Sequence, residues 1–165
     1  MKTIGLISDT HSFLHPRVEH HFKDCDEIWH AGDIGTLELA DKLASMKTLK
    51  AVYGNIDGTE VRKVYPKNLR FTDEGVDVWI THIGGYPNSY DQRVREEIRK
   101  NPPDLFICGH SHILKAMPDK KLKLLHLNPG AAGKVGFHQV LTLMRFQLNA
   151  GKVVNLEVIE LEKRV

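Results

Sequence analysis

Seven side chains in this sequence have the chemistry and the spacing of metal ligands. Asp9 and His11 stand two apart, Asp33 and Asn55 each follow a glycine, His82 stands alone, and His110 and His112 are again separated by one residue. Together they supply two carboxylates, one amide and four imidazoles. Hard oxygen and borderline nitrogen donors in this mixture suit Mn²⁺, Zn²⁺, Fe²⁺ or Ni²⁺ better than Ca²⁺ or an ion that prefers thiolates. Seven donors are too many for one tetrahedral zinc. They fit two divalent ions that share a bridging carboxylate and lie roughly 3.5–4 Å apart, an arrangement that polarises a reacting centre and activates water.

Such a set is useful only if the fold gathers it, and the hydrophobic pattern says how. Lys2–Ser8 reads as a buried strand that ends at Asp9. A helix from about Pro16 to Lys23 follows, with proline at its first turn, and then the strand Glu27–His30, which closes on Gly32-Asp33. Apolar residues at Leu37, Ala40, Leu43 and Ala44 predict a helix over Leu37–Met46, and the strand Leu49–Tyr53 closes on Gly54-Asn55. This β-α-β-α-β order predicts parallel strands joined by right-handed crossovers. Leu69–Thr72 and Val76–Thr81 read as strands around the turn Asp73-Glu74-Gly75, and His82 follows the second. A helix capped by Asn88 or Ser89 runs to about Lys100, where Pro102-Pro103 stops it. Leu105–Cys108 is a strand that runs into Gly109-His110-Ser111-His112, and the strands Lys123–Leu127, Gln139–Phe146 and Val153–Leu161 complete the chain, the last two flanking Asn149-Ala150-Gly151. Each proposed ligand therefore sits just past the carboxyl end of an apolar run, where the strands of a parallel sheet present ligands. Gly32, Gly54 and Gly109 precede ligands at points where the chain must turn. Two sheets packed face to face with helices outside would bury these apolar faces.

Composition narrows the class. The 165 residues suit one compact domain, residues 1–165, with no repeat or linker. Lys plus Arg number 23 against 21 acids, a formal charge of +2, with no basic block of the kind that neutralises a phosphate-rich polymer. The run of lysines at 120, 121 and 123 reads as a solvated loop edge. The two cysteines, Cys25 and Cys108, form no paired spacing, so neither a disulfide framework nor a zinc knuckle is indicated, and Cys108 reads as buried. No membrane span and no leader pattern is seen, and the cytoplasm is the expected location.

The ordered set Asp9-x-His11, Gly32-Asp33, Gly54-Asn55-x-Asp57, His82 and Gly109-His110-x-His112 resembles the calcineurin-like metallophosphoesterases. Length, layout and Asn128-Pro129-Gly130 resemble the YfcE-like phosphodiesterases within that superfamily. The resemblance implies an α/β four-layer α-β-β-α sandwich, the metallo-dependent phosphatase fold. It also implies two divalent ions, manganese first among the candidates. Asp9, His11 and His112 would hold one ion, Asn55, His82 and His110 the other, and Asp33 would bridge them. The implied activity is hydrolysis of a small phosphodiester by a metal-activated hydroxide attacking phosphorus directly, with Asp33 and Asn55 as the catalytic residues. The alternatives are a phosphomonoesterase and a non-catalytic scaffold of the same fold. A homo-oligomer is compatible with the edge strands.

One position departs from the superfamily pattern. Many members carry a histidine after the Gly-Asn pair, but here Ile56 stands there and can give no proton. That favours diesters with good leaving groups over alkyl monoesters. Relatives often have Ser after the glycine of Asn128-Pro129-Gly130, where this chain has Ala131. Among the other histidines, His15, His20 and His21 read as surface residues, and His30 and His126 as core residues or supports behind ligands. His138 reads as structural, with a substitute proton donor as the alternative. Gly130–Lys134 lacks the spacing of a phosphate-binding loop.

Overall fold

Successive strand residues face opposite ways, and in the central strands of this chain both faces are apolar. The computed structural model describes residues 1–164. Its first half contains β1 (Lys2–Ile7), α1 (Val18–Phe22), β2 (Glu27–His30), α2 (Leu37–Met46), β3 (Thr48–Ala51), α3 (Thr59–Val64), β4 (Asn68–Asp73) and β5 (Val76–Thr81). The second half contains β6 (Gly85–Tyr86), β7 (Ser89–Tyr90), α4 (Gln92–Lys100), β8 (Leu105–Ile107), β9 (Lys115–Asp119), β10 (Leu124–Asn128), β11 (Val140–Asn149) and β12 (Lys152–Lys163).

One sheet runs β12-β11-β1-β2-β3 and the other β4-β5-β8-β10-β9. Within them β1, β2 and β3 are mutually parallel, as are β5, β8 and β10, while β11, β12, β4 and β9 pair antiparallel at the flanks. Ile4 and Leu6 of β1, Trp29 of β2, Val78 and Ile80 of β5, and Leu105 and Ile107 of β8 meet in the core between the sheets. Ile7 and Ile28 face the other way and pack with Val18, Phe22, Leu39, Ala40, Leu43 and Val61 of the first three helices. Trp79 and Phe106 pack with Val94 and Ile98 of α4 on the far side. The result is the expected α-β-β-α sandwich. Each large apolar side chain so buried contributes about 1.5–3 kcal/mol.

Local signals explain most elements. Thr36 caps α2, its Oγ1 accepting from Leu39 N at 3.3 Å. Gly5 lets Phe22 lie against β1, because a Cβ there would sit 2.6 Å from the ring atom Cε1. The β11–β12 turn is Ala150-Gly151, with both φ angles positive at 49° and 81°, the geometry that matches strand twist in a two-residue hairpin.

Several expectations need correction. Asp91 rather than Asn88 or Ser89 caps α4, its carboxylate accepting from Arg93 N at 2.9 Å. Ser89 instead pairs with Tyr86 in the small β6–β7 hairpin. α1 is shorter than the expected Pro16–Lys23. α3 buries only Val61, so it carries no apolar period, and β9 contains Pro118, which an edge strand tolerates. His20 is exposed, but His15 and His21 are half-buried rather than on the open surface.

His126 lies in β10, buried against Phe106, with Nδ1 3.2 Å from the Phe106 carbonyl oxygen. Burial pushes its pKa down to about 4. A histidine with a lowered folded pKa favours folding above its unfolded value near 6.5 and loses that advantage as pH falls toward 4. His126→Gln should therefore flatten the decline of Tm between pH 6.5 and 4. An unchanged slope in thermal denaturation would contradict this.

Candidate metal centre

The parallel strands bring their loops to one edge of the sandwich. Asp9 and His11 follow β1, Asp33 follows β2 and Asn55 follows β3, while His82 follows β5 and His110 and His112 follow β8. Backbone bonds knit the loops together. Asp9 N donates to Gly32 O, His11 N to Asp33 O, Gly109 N to His82 O and Gly133 N to Asp9 O, each at 3.0 Å.

Two adjoining groups result, and either could hold a divalent ion. The ligand atoms of Asp9, His11 and His112 lie within 4.8 Å of one another, and so do those of Asp33, His82 and His110. The groups meet at Asp33, whose Oδ2 is 3.2 Å from His82 Nε2 and 3.4 Å from His11 Nε2 of the other group. Asp9 Oδ1 lies 3.1 Å from His112 Nε2 and 3.8 Å from His82 Nε2. Asn55 is exposed and lines a cleft that His82 also borders.

Neighbouring groups fix which atom each ligand presents. Ser8 Oγ donates to Asp9 Oδ2 at 2.7 Å and His110 N donates to it at 3.1 Å, which leaves Oδ1 for the centre. Ile56 N donates to Asp33 Oδ1 at 3.1 Å, which leaves Oδ2. His82 Nδ1 lies 2.7 Å from Ala31 O and must donate to it, so Nε2 offers its lone pair inward. Asp9 Oδ1, His11 Nε2 and His82 Nε2 are buried without a hydrogen-bond partner. Leaving such groups unsatisfied costs about 1–3 kcal/mol each. Lone pairs that converge at these distances repel unless positive charge stands between them, and a pair of divalent cations fits that need.

The charges respond to one another. Burial opposes ionisation of Asp33, but the His82 imidazole 3.2 Å away, its charge and the Ile56 N–H hold the carboxyl below the usual range. Burial alone would lower His82, yet the adjacent Asp33 carboxylate and the charge of Asp9 raise it. His110 is lowered by burial and then by the charge of His82.

The backbone is strained in the same place. Asp9, His11, Asp33, His110 and His112 have φ of 52°, 45°, 56°, 70° and 62°. The left-handed region costs a non-glycine residue about 1–2 kcal/mol. Of the glycines beside them, Gly32 has φ 102° and serves the turn, as expected. Gly54 and Gly109 have ordinary φ and matter for a different reason: a Cβ would collide with the Asp33 carboxylate in one case and with Ser8 Oγ in the other.

Three supporting residues were given no role by sequence reasoning. The buried Asp57 carboxylate accepts from Ile34 N, Gly35 N and Gly54 N at 3.1, 2.8 and 2.8 Å, tying the loop of Asp33 to that of Asn55. Asn128 Nδ2 donates to Gly109 O at 3.1 Å, and its Oδ1 accepts from Gly130 N at 2.9 Å. Thr10 Oγ1 donates to Ile34 O at 2.8 Å and lies 3.0 Å from His30 Nε2. His30 Nδ1 accepts from Gly32 N at 3.0 Å, and burial pushes this imidazole down to about 4, so it stays a neutral support. Asp57 and Asn128 stand inside the motif blocks, so their positions were visible although their bonds were not. His138 lies behind His112, ring centroids 5.0 Å apart, with Nε2 2.7 Å from Gly133 O.

A family model, the calcineurin-like phosphoesterase superfamily domain, matches residues 1–151. A probable metallophosphoesterase of Methanothermobacter thermautotrophicus is 31% identical over 138 residues, covering 78% of this chain and 76% of that protein. Among solved structures, one from a study of a novel archaeal phosphodiesterase superposes with a TM-score of 0.77 at 22% identity, covering 96% of this chain and 99% of that one. Vps29 of Entamoeba histolytica, complexed with zinc, gives 0.71 at 18% identity, covering 97% and 99%.

Saturating Mn²⁺ should stabilise the fold, because a ligand at 100 times its Kd adds about 2.7 kcal/mol. For a chain of this size that is a rise in Tm of roughly 5–10 °C, reversed by a chelator. No shift with either manganese or zinc in calorimetry would contradict the assignment of a metal centre.

Proposed function

We propose that this site is a two-metal phosphodiesterase centre, proceeding from the premise that the chain belongs to the calcineurin-like phosphoesterase superfamily. The observation that carries the reading is Asp33 Oδ2, which lies within 3.4 Å of imidazoles from both donor groups. A carboxylate so placed is suited to bridge. Asp9, His11 and His112 would then hold one ion, and His82, His110 and Asn55 the other. When bound, such ions supply Lewis acidity and an activated water at neutral pH.

The chain's own residues supply the rest. Two carboxylates cannot neutralise two divalent cations, and Asn55 adds a donor without adding negative charge. The centre thus stays electropositive toward an anionic substrate. Ser8, Ile56 N–H and the Ala31 carbonyl aim the ligand atoms before substrate arrives. Ile56 itself is 47% exposed and offers only hydrocarbon beyond its backbone. Manganese is the ion we favour, on the mixed oxygen and nitrogen donor set. The whole chain would serve as a single domain acting in the cytoplasm; no helix among the described residues is long and apolar enough to cross a membrane. The fold likeness to Vps29 favours a second reading, a protein-binding scaffold. The donor at each of the seven positions weighs against it.

Asp33→Asn should cut metal content from about two ions per chain to one or fewer, and hydrolysis of bis(p-nitrophenyl) phosphate by at least roughly 100-fold. Elemental analysis and a colorimetric assay check both, and full metal content with full activity would overturn the assignment. Loss of metal with activity absent in the parent as well would favour the scaffold.

Ile56 gives a separate test. General acid help is typically worth about 10²–10⁴ in rate, so a centre without it should hydrolyse activated diesters faster than an alkyl monoester such as glycerol phosphate. Equal or faster release of phosphate from the monoester would contradict this.

A further inference from the structure

A cleft of about 240 Å³ opens beside the second donor group, bordered by His82 and Asn55. Its wall includes three cations, Arg62, Lys67 and Arg93, and the amide of Asn68, and no acidic side chain lines it. The arginines are held in place. Arg62 lies over the Tyr53 ring at 4.5 Å, and its guanidinium donates to Asp57 O at 2.6 Å and Asn55 O at 3.3 Å. Backbone carbonyls leave its charge uncompensated. Arg93 is anchored to Asp91 at 3.0 Å, and Lys67 makes no ion pair among the described residues. With Arg93 balanced by Asp91, Arg62 and Lys67 still leave a local positive excess around the cleft in a chain whose total charge is only +2.

We propose that this cleft binds a second phosphate, carried by the organic half of the diester substrate. The inference rests on the phosphodiesterase reading of the centre and names its substrate class. A singly charged diester would be satisfied at the metal centre alone, and the cleft's cations would meet only solvent. A diester bearing a phosphate monoester several bonds away places that group against Lys67 and Arg93, while Arg62 and Tyr53 flank the connecting portion. Arginine is suited to bidentate contact with phosphate oxygens and lysine to point-charge contact. The cleft lies at the mouth of the site, so salt will screen its effect.

The test compares p-nitrophenyl thymidine 5′-phosphate with the same ester phosphorylated at the 3′-hydroxyl, using the manganese-loaded protein. The expected result is a preference of about tenfold in kcat/KM for the doubly phosphorylated ester, falling in high salt. Lys67→Ala with Arg93→Ala should bring the ratio to within about twofold of one. Both residues are exposed, so the variant should fold. Calorimetry gives an independent reading, with thymidine 3′,5′-bisphosphate binding more tightly than thymidine 5′-phosphate in the parent and equally in the variant. Equal parent kcat/KM, or a preference that survives both substitutions, overturns the proposal. If neither ester is hydrolysed the phosphodiesterase reading fails, and the calorimetric comparison still decides whether the cleft holds the second phosphate.

Discussion

The central constraint is electrostatic. Two buried carboxylates and several imidazoles turn lone pairs toward a shared space, and three of those atoms have no partner within the protein. The arrangement is unfavourable by itself. It is made worse by five of the candidate ligands lying in left-handed backbone conformations, at roughly 1–2 kcal/mol each. A fold retains strain of this size only where the surroundings over-determine it and something offsets it. In the proposed centre divalent cations would offset both costs, because each would replace lone-pair repulsion with attraction.

The rest of the architecture can be seen as the means of holding that conflict in place. Parallel strands deliver the loops to one edge, and the cores on each side of the sheets make those strands rigid. Glycines at 54 and 109 allow loops to approach until side chains from distant segments touch. Asp57 then locks two of the loops through three backbone donors, and Asn128 steadies a third. These contacts orient carboxylates and imidazoles so that binding a cation requires little rearrangement. The same loops form a wall of the neighbouring cleft, where Arg62 shares the carbonyls of Asn55 and Asp57.

Much of this was legible in the sequence because the strongest signals are local. Apolar runs ending in Asp-x-His, Gly-Asp or Gly-His-x-His mark both a strand and the residue presented at its end. The layered fold followed from strands with two apolar faces. What was not legible depends on contacts between distant segments. α3 has one buried side chain and β9 a proline, so neither shows a period. The glycines could be seen to matter, but turning and close approach look alike in sequence, and only Gly32 among the three turns on φ. Asp57 was given no role because two of its three hydrogen-bond donors, Ile34 N and Gly35 N, come from the loop of Asp33, more than twenty residues away. The cleft was hidden for the same reason: Arg93 of α4 is distant in sequence from Arg62 and Lys67.

In the proposed centre two cations share Asp33. An anomalous-difference map from crystals grown in Mn²⁺ tests it most directly. Two peaks about 3.5–4 Å apart, both within coordination distance of Asp33 Oδ2, are expected. A single peak, or a pair that does not share this carboxylate, would contradict it.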